Sequence, residues 1–70
     1  MNLSEIKKLD LNSYKLDEFI FKHKKKAVIL IEFNKGMTVK QIAEYWRHHP
    51  TYIRDILNRV SGQLRFYEKH

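Results

Sequence analysis

The only proline of this 70-residue chain, Pro50, constrains its folding more than any other residue. Its ring holds φ at about −65° and it has no backbone N–H, so it suits the first position of an α-helix but not the interior. It also disfavours a helical conformation at the preceding residue, His49. We therefore predict a break between Arg47 and His49, with one helix ending before it and the next beginning at Pro50.

The helix before this break has a clear start signal. Thr38 and Gln41 form a T-x-x-Q capping box, in which each side chain accepts a hydrogen bond from the other residue's backbone N–H. Met37 and Ile42 have the spacing of a hydrophobic staple across the same start. Apolar residues then share one helical face: Val39, Ile42, Ala43 and Trp46. On that face Trp46 is predicted to pack in the core rather than to stack on bases.

The helix that begins at Pro50 has its own inner face, formed by Ile53, Ile56, Leu57 and Val60. Gly62 is predicted to end it, because glycine commonly follows a helix C-terminus. The tail 63–69 carries Leu64, Phe66 and Tyr67 and is compatible with one strand.

The N-terminal half is less regular. The segment 14–34 is predicted to form one helix or two consecutive helices, and a strand at 18–22 is an alternative for its first part. Gly36 is placed as a left-handed cap at its end. Asn2 and Glu5 predict a capped short helix within 1–12. The helical stripe in this half consists of Leu16, Phe19, Ile20, His23, Ala27, Leu30 and Ile31.

Composition limits the kinds of partner. Fourteen Lys and Arg against eight Asp and Glu give a net charge of +6 and a pI of about 9.7. A basic balance of this size on a small domain favours a polyanionic partner. The hydrophobic share of 43% suits one globular domain over 1–70. The absence of cysteine excludes disulfides, thiolate metal sites and thiol nucleophiles.

Other function classes lack a signature in the sequence. No catalytic constellation, metal-ligand spacing or glycine-rich phosphate loop is present, so we expect no enzyme activity, no metal or other cofactor, and no small-molecule substrate. The N-terminus has no signal-peptide pattern, and the longest apolar run, 27–31, is too short to span a bilayer. We therefore expect a cytoplasmic protein that makes no membrane contact.

The block 39–57, VKQIAEYWRHHPTYIRDIL, resembles the helix-turn-helix family. The preceding AVILIEFNKGMTVKQIAEYW is similar to the passage from the first to the second helix of winged helix-turn-helix repressors, so the resemblance covers about 26–60. Positions that are apolar in the family carry Ile42, Trp46, Ile53 and Ile56 here, and Ala43 stands where the helices cross. Two positions depart: Arg47 replaces the usual turn glycine, and His48 replaces an apolar residue.

The resemblance implies a fold class and a function. The fold is mainly α, a three-helix helix-turn-helix core with an N-terminal helical extension and a short C-terminal strand or vestigial wing, although 62–69 is short for a two-stranded wing. The function is sequence-specific binding of double-stranded DNA, with the helix at 50–60 in the major groove. That points to a small transcriptional regulator, for example a phage or plasmid repressor, associated with the nucleoid.

Specific residues follow from this placement. In the groove Arg54 suits guanine, Asn58 suits adenine, and Asp55 suits cytosine or braces Arg54 or Arg59. The candidate base contacts are His49, Thr51, Tyr52, Arg54, Asp55 and Asn58. The candidate phosphate contacts are Lys24, Lys25, Lys26, Lys40, Arg47, Arg59 and Arg65. An ordinary solvated face, and a solvated charge run at 22–26, are the alternatives.

Several alternatives concern partners. A homodimer would form through the N-terminal third, with the residues Leu3, Ile6, Leu9, Leu16, Phe19 and Phe21. If that third packs on its own core instead, the protein is a monomer. The alternative functions for this chain are a protein-interaction module on the same fold and a DNA recombination or replication accessory factor. RNA binding is a further alternative, with less support from the sequence.

Overall fold

A computed structural model describes residues 1–69, and over this range the chain is mainly helical. Its α-helices are α1 (Leu3–Lys8), α2 (Leu16–His23), α3 (Lys25–Asn34), α4 (Val39–Trp46) and α5 (Pro50–Gln63). Short 3₁₀ helices lie at Leu11–Ser13, between α1 and α2, and at Leu64–Tyr67, after α5. Within 1–69 no strand forms, and Tyr14 and Glu68 make an isolated antiparallel bridge. The predicted mainly α class is confirmed.

The predicted start of α4 is confirmed by both hydrogen bonds of the capping box. The Gln41 N–H donates to Thr38 Oγ1 at 3.1 Å, and the Thr38 N–H donates to Gln41 Oε1 at 2.9 Å. Met37, the apolar residue before the cap, packs against the core, and Ile42 is fully buried. The start of α4 is therefore determined by contacts within six consecutive positions, 37–42.

The predicted break before Pro50 is also confirmed. Arg47 ends α4 in the left-handed conformation, with φ 59° and ψ 46°. His49 is extended, with φ −69° and ψ 141°, and its Nδ1 accepts a hydrogen bond of 3.1 Å from the Thr51 N–H. His49 is thus the N-cap of α5, and Pro50 occupies the first turn as its missing N–H allows.

α3 ends in a Schellman motif around Gly36, which has the predicted positive φ, 120°. The Gly36 N–H donates to the Phe33 carbonyl at 3.1 Å and the Met37 N–H donates to the Glu32 carbonyl at 3.1 Å. These are the two bonds that define the motif. A short connection then leads from Gly36 into the capping box of α4.

The segment 14–34 forms two helices, and the break between them lies at Lys24, which has φ 55° and ψ −126°. The alternative of a strand at 18–22 is wrong, because these residues lie inside α2. α1 forms as predicted, and Asn2 Oδ1 accepts a 2.9 Å hydrogen bond from the Glu5 N–H.

Two expectations for the C-terminus are wrong. Gly62 does not end α5, which runs to Gln63 and continues directly into the 3₁₀ helix. The tail is not a strand, and the described residues contain no wing. The physical reason is that Leu64, only 1% exposed, continues the buried stripe of Leu57 and Val60. Burying it contributes about 1.5–3 kcal/mol, more than the cost of about 1 kcal/mol for glycine in a helix.

The core is built around α3, whose buried residues are Ala27, Ile29, Leu30 and Phe33. This helix contacts α1, α2, α4 and α5. At its end the Asn34 Nδ2 donates to the carbonyls of Ile6 and Leu9 at 2.8 and 3.0 Å, which holds α1 in place. None of the helices in 1–69 is long and apolar enough to cross a membrane.

The left-handed Arg47 gives a test of the break. A non-glycine residue in this conformation costs about 1–2 kcal/mol. We expect Arg47→Gly to raise the free energy of unfolding by about 0.5–1 kcal/mol, because glycine adopts this φ freely but is more flexible when unfolded. Chemical denaturation measures the change.

The matched control for this experiment is Arg54→Gly, which places the same substitution at an exposed position inside α5. There we expect a loss of about 1 kcal/mol, since glycine disfavours a helix interior. Equal destabilisation of the two variants would show that Arg47 does not adopt the left-handed conformation.

Candidate nucleic-acid interface

The candidate base contacts lie on the solvent side of α5. The inner face of this helix is buried through Ile53, Ile56, Leu57, Val60 and Ser61. The candidate base contacts are all exposed: His49, Thr51, Tyr52, Arg54, Asp55 and Asn58. Local periodicity therefore predicted correctly which side chains reach solvent.

The outward residues do not form a single row. Successive residues rotate by about 100° around a helix, so Thr51, Asp55 and Asn58 lie along the outer centre of α5. Arg54 lies on one flank, where it lines a cleft with Ser4 and Lys7 of α1. The opposite flank carries Tyr52, Arg59 and Gln63 and faces the α2–α3 junction.

On that second flank the start of α3 meets the break between α4 and α5. Lys25 Nζ donates to His48 Nε2 at 2.9 Å, and the same ammonium lies 5.9 Å from the centre of the Trp46 ring. The His48 ring lies 4.7 Å from the Tyr52 ring. A lysine has no acceptor, so the Nε2 of His48 must carry a lone pair in this contact. Lys25 is thereby placed beside the first turn of α5.

The lysines on either side of Lys25 contact different elements. Lys24 Nζ lies 4.6 Å from the centre of the exposed Phe21 ring. Lys26 lines a cleft against Arg59 of α5. The structure thus brings Lys25 and Lys26 to the flank of α5, whereas Lys24 has its contact on α2.

The remaining phosphate candidates are spread along the molecule. Lys40 is exposed on α4, and Arg47 is exposed in the break. Arg65 stacks on Phe66, 4.9 Å from its ring centre, in the C-terminal 3₁₀ helix. Because an α-helix rises about 1.5 Å per residue, α5 places its N-terminus roughly 20 Å from the 3₁₀ helix that carries Arg65. Arg65 is therefore separated from the base-contact end of α5.

Asp55 forms an ion pair along α5. Its Oδ2 lies 3.1 Å from Arg59 Nε, with the Arg59 side chain 80% exposed and the Asp55 side chain 49% exposed. An exposed pair four residues apart contributes only about 0.3–0.5 kcal/mol. Of the two bracing roles predicted for Asp55, the structure has the contact with Arg59. Arg54 lies on the other flank.

Trp46 packs mainly as a structural side chain. It is half-buried against the core, and its Nε1–H donates to Glu32 Oε1 at 2.9 Å. Its ring also meets the exposed Tyr45 ring edge-on at 5.4 Å between centres. Trp46 thus links the end of α4 to the C-terminal half of α3.

His23 was missed as a site residue by sequence reasoning, which assigned it only to an apolar stripe. It is half-buried, and its ring lies 5.2 Å from Phe19 and 5.9 Å from Tyr67. Burial, and then the charges of Lys22 and Lys26, lower the pKa of His23 below its usual 6.5. No sequence signal marks this position, because its tertiary partners Tyr67 and Arg59 are distant along the chain.

Comparison with known proteins adds no family assignment. The chain matches no protein-family model, no curated protein and no solved structure. Within residues 1–69 no three His, Asp or Glu side chains come together to hold a metal ion.

The lowered pKa of His23 predicts a dependence of stability on pH. Because the folded state favours the neutral ring, its contribution is complete above the unfolded pKa of 6.5 and is lost as pH falls through the folded pKa. We expect the free energy of unfolding to fall from about pH 7.5 to about pH 5, and to fall less steeply in His23→Gln. Denaturant titrations across this range measure both slopes, and identical slopes would assign the effect to another group.

Proposed function

We propose that this protein binds double-stranded DNA sequence-specifically through α5 and acts as a small transcriptional regulator. The observation that carries the proposal is the position of α5. This helix follows a left-handed break at Arg47, exposes its outer face, and has Lys25 and Lys26 beside one flank. A helix in the major groove needs such an arrangement, with polar residues outward and cations at the groove edges.

The packing of three helices supports a helix-turn-helix core. α3 packs against both α4 and α5, and α4 packs against α5. Ala43, only 3% exposed, provides the small side chain on α4, and the His48 N–H donates to the Ala43 carbonyl at 2.9 Å. In this proposal α3, α4 and α5 form the core and α1 and α2 the N-terminal extension. The proposed unit has no wing.

Charge supports DNA as the partner. The net charge is +6, and candidate phosphate contacts lie in the break, on α4 and at the start of α3. Neutralising phosphates releases counterions, so affinity falls with salt in proportion to the number of contacts. About five to eight contacts would give a log–log slope of about −4 to −7.

We favour a monomer over a dimer formed through the N-terminal third. Ile6 and Phe19, two members of the predicted dimer surface, are fully buried in the chain's own core. Leu3, Leu9 and Leu16 pack partly against that core, and Phe21 alone of the set is exposed, at 77%. A single exposed ring is a small surface for a stable dimer.

A protein-interaction module is the second candidate. Asp55 lies at the outer centre of α5, where a carboxylate disfavours a nearby phosphate, and its pairing with Arg59 reduces the local positive charge. DNA remains the better partner, because the flank that faces the α2–α3 junction is lined by cations.

The first experiment measures binding to random-sequence duplex DNA over a salt series and then selects preferred sites from a random pool. We expect a slope of about −4 to −7 and one enriched motif. Absence of binding even at low salt would overturn the proposal in favour of the protein-interaction module.

Arg54→Ala tests the base contacts directly. We expect specific affinity to weaken by about 1–3 kcal/mol and specificity at one base pair to relax, with thermal stability unchanged because Arg54 is exposed. The control is Lys15→Ala, which removes a charge at the far end of α2 from the lysine run. Equal effects of the two variants on specific binding would show that Arg54 does not contact the bases.

A further inference from the structure

An open cleft separates the outer flank of α5 from the α2–α3 junction. Its volume is about 240 Å³, and it is lined by His23, Lys26, Arg59, Val60 and Gln63. Drug-sized ligands occupy pockets of about 300–1,000 Å³, so this cleft suits a smaller group.

The polar side chains of the cleft are rich in hydrogen-bond donors. Lys26 carries three N–H donors, Gln63 carries an amide, and the Arg59 guanidinium retains its terminal nitrogens because Asp55 engages Nε. Among the described residues, no carboxylate lines the cleft itself. Cationic donors that line one cleft without a carboxylate acceptor are suited to a tetrahedral oxyanion.

The imidazole of His23 completes this donor set and is held in place by its neighbours. Phe19 and Tyr67 flank the ring at 5.2 and 5.9 Å, and the Tyr67 hydroxyl lies 3.4 Å from His23 Nε2. Three of the lining groups come from three different helices, since His23 ends α2, Lys26 lies in the first turn of α3 and Arg59 lies on α5. An anion here would bridge elements that are separate in sequence.

We propose that His23, Lys26, Arg59 and Gln63 form a binding site for one phosphoryl group. In the DNA complex, which rests on the proposed function, the ligand is a backbone phosphodiester at the groove edge beside α5. A free phosphate compound offers the same chemistry, and the experiment separates the two sources.

Binding at this site would couple to protonation of His23. The charged groups that face the ring are Lys22 on α2, Lys26 on α3, and Arg59 with its partner Asp55 on α5, while Tyr67 packs from the C-terminal 3₁₀ helix. Without an anion, burial and the two lysines keep the pKa of His23 low. An anion beside Lys26 reverses this influence and raises the pKa, so binding should take up a proton and strengthen as pH falls.

The test follows the His23 ring by NMR over a pH series, in the whole protein, with and without inorganic phosphate and then with a short duplex. We expect either ligand to raise the pKa of His23. Lys26→Gln and Arg59→Gln should each weaken the response at least about three-fold, as expected for loss of one exposed charge contact. Lys15→Gln, a matched charge loss outside the cleft, should leave it unchanged.

The duplex arm measures affinity against salt and pH. We expect Lys26→Gln to reduce the magnitude of the salt slope by about one and Lys15→Gln to leave it unaltered. His23→Gln should remove the strengthening of DNA binding between about pH 7.5 and about pH 5.5.

The outcomes separate this site from the proposed function. If Lys26→Gln binds DNA with an unchanged salt slope and phosphate does not change the pKa of His23, the phosphoryl site is wrong and the proposed DNA binding stands. A His23 response to phosphate without DNA binding would support the cleft, assign it to free phosphate compounds and overturn the proposed function. If neither phosphate nor the duplex changes the pKa of His23, the proposed site is wrong.

Discussion

Burial of α3 among the other helices is the interaction on which this structure depends. Ile29 and Leu30 are fully buried, and α3 contacts α1, α2, α4 and α5. Each such side chain contributes about 1.5–3 kcal/mol when it leaves water. Because Lys25 and Lys26 lie in the first turn of the same helix, its packing also determines where their charges lie. The core therefore positions Lys25 and Lys26 beside α5.

The connections before α3 and after α4 each contain an unfavourable backbone conformation. Lys24 and Arg47 are the non-glycine residues with positive φ in the described chain, and each separates two helices. Such conformations cost about 1–3 kcal/mol and persist only when the surrounding packing stabilises them. α3 begins directly after Lys24, with Lys25 in contact with His48 and Lys26 in the cleft with Arg59, while Arg47 ends α4 before the chain enters α5. Strain and positive charge thus occur at the same two positions.

The basic side chains are little neutralised within the chain. Over residues 1–69 the only side-chain ion pair is Asp55–Arg59, although the chain carries fourteen Lys and Arg. Lys25 donates to an imidazole, and Lys24 and Arg65 stack on aromatic rings instead of meeting carboxylates. The positive charge is therefore available to an external anion, which agrees with both proposals.

Signals that act within about five residues were sufficient to predict several features from sequence. The capping box at Thr38, the break before Pro50 and the positive φ of Gly36 all depend on hydrogen bonds or steric contacts between near neighbours. The solvent-facing side of α5 followed from helical periodicity alone. Resemblance to a family added the proposed role of that face, which local physics does not supply.

Tertiary packing decided the rest, because the deciding partners are distant along the chain. Gly62 signals a helix end, yet burial of Leu64 carries the chain through it and removes the expected strand. The contact of Lys25 with His48 spans 23 residues, and the open cleft brings together His23 and Arg59, which are also distant along the chain. The sequence by itself determined where α1, α4 and α5 begin and which residues of α5 face solvent. Only the packing of α2 and α3 against α5 decided which cations share a site.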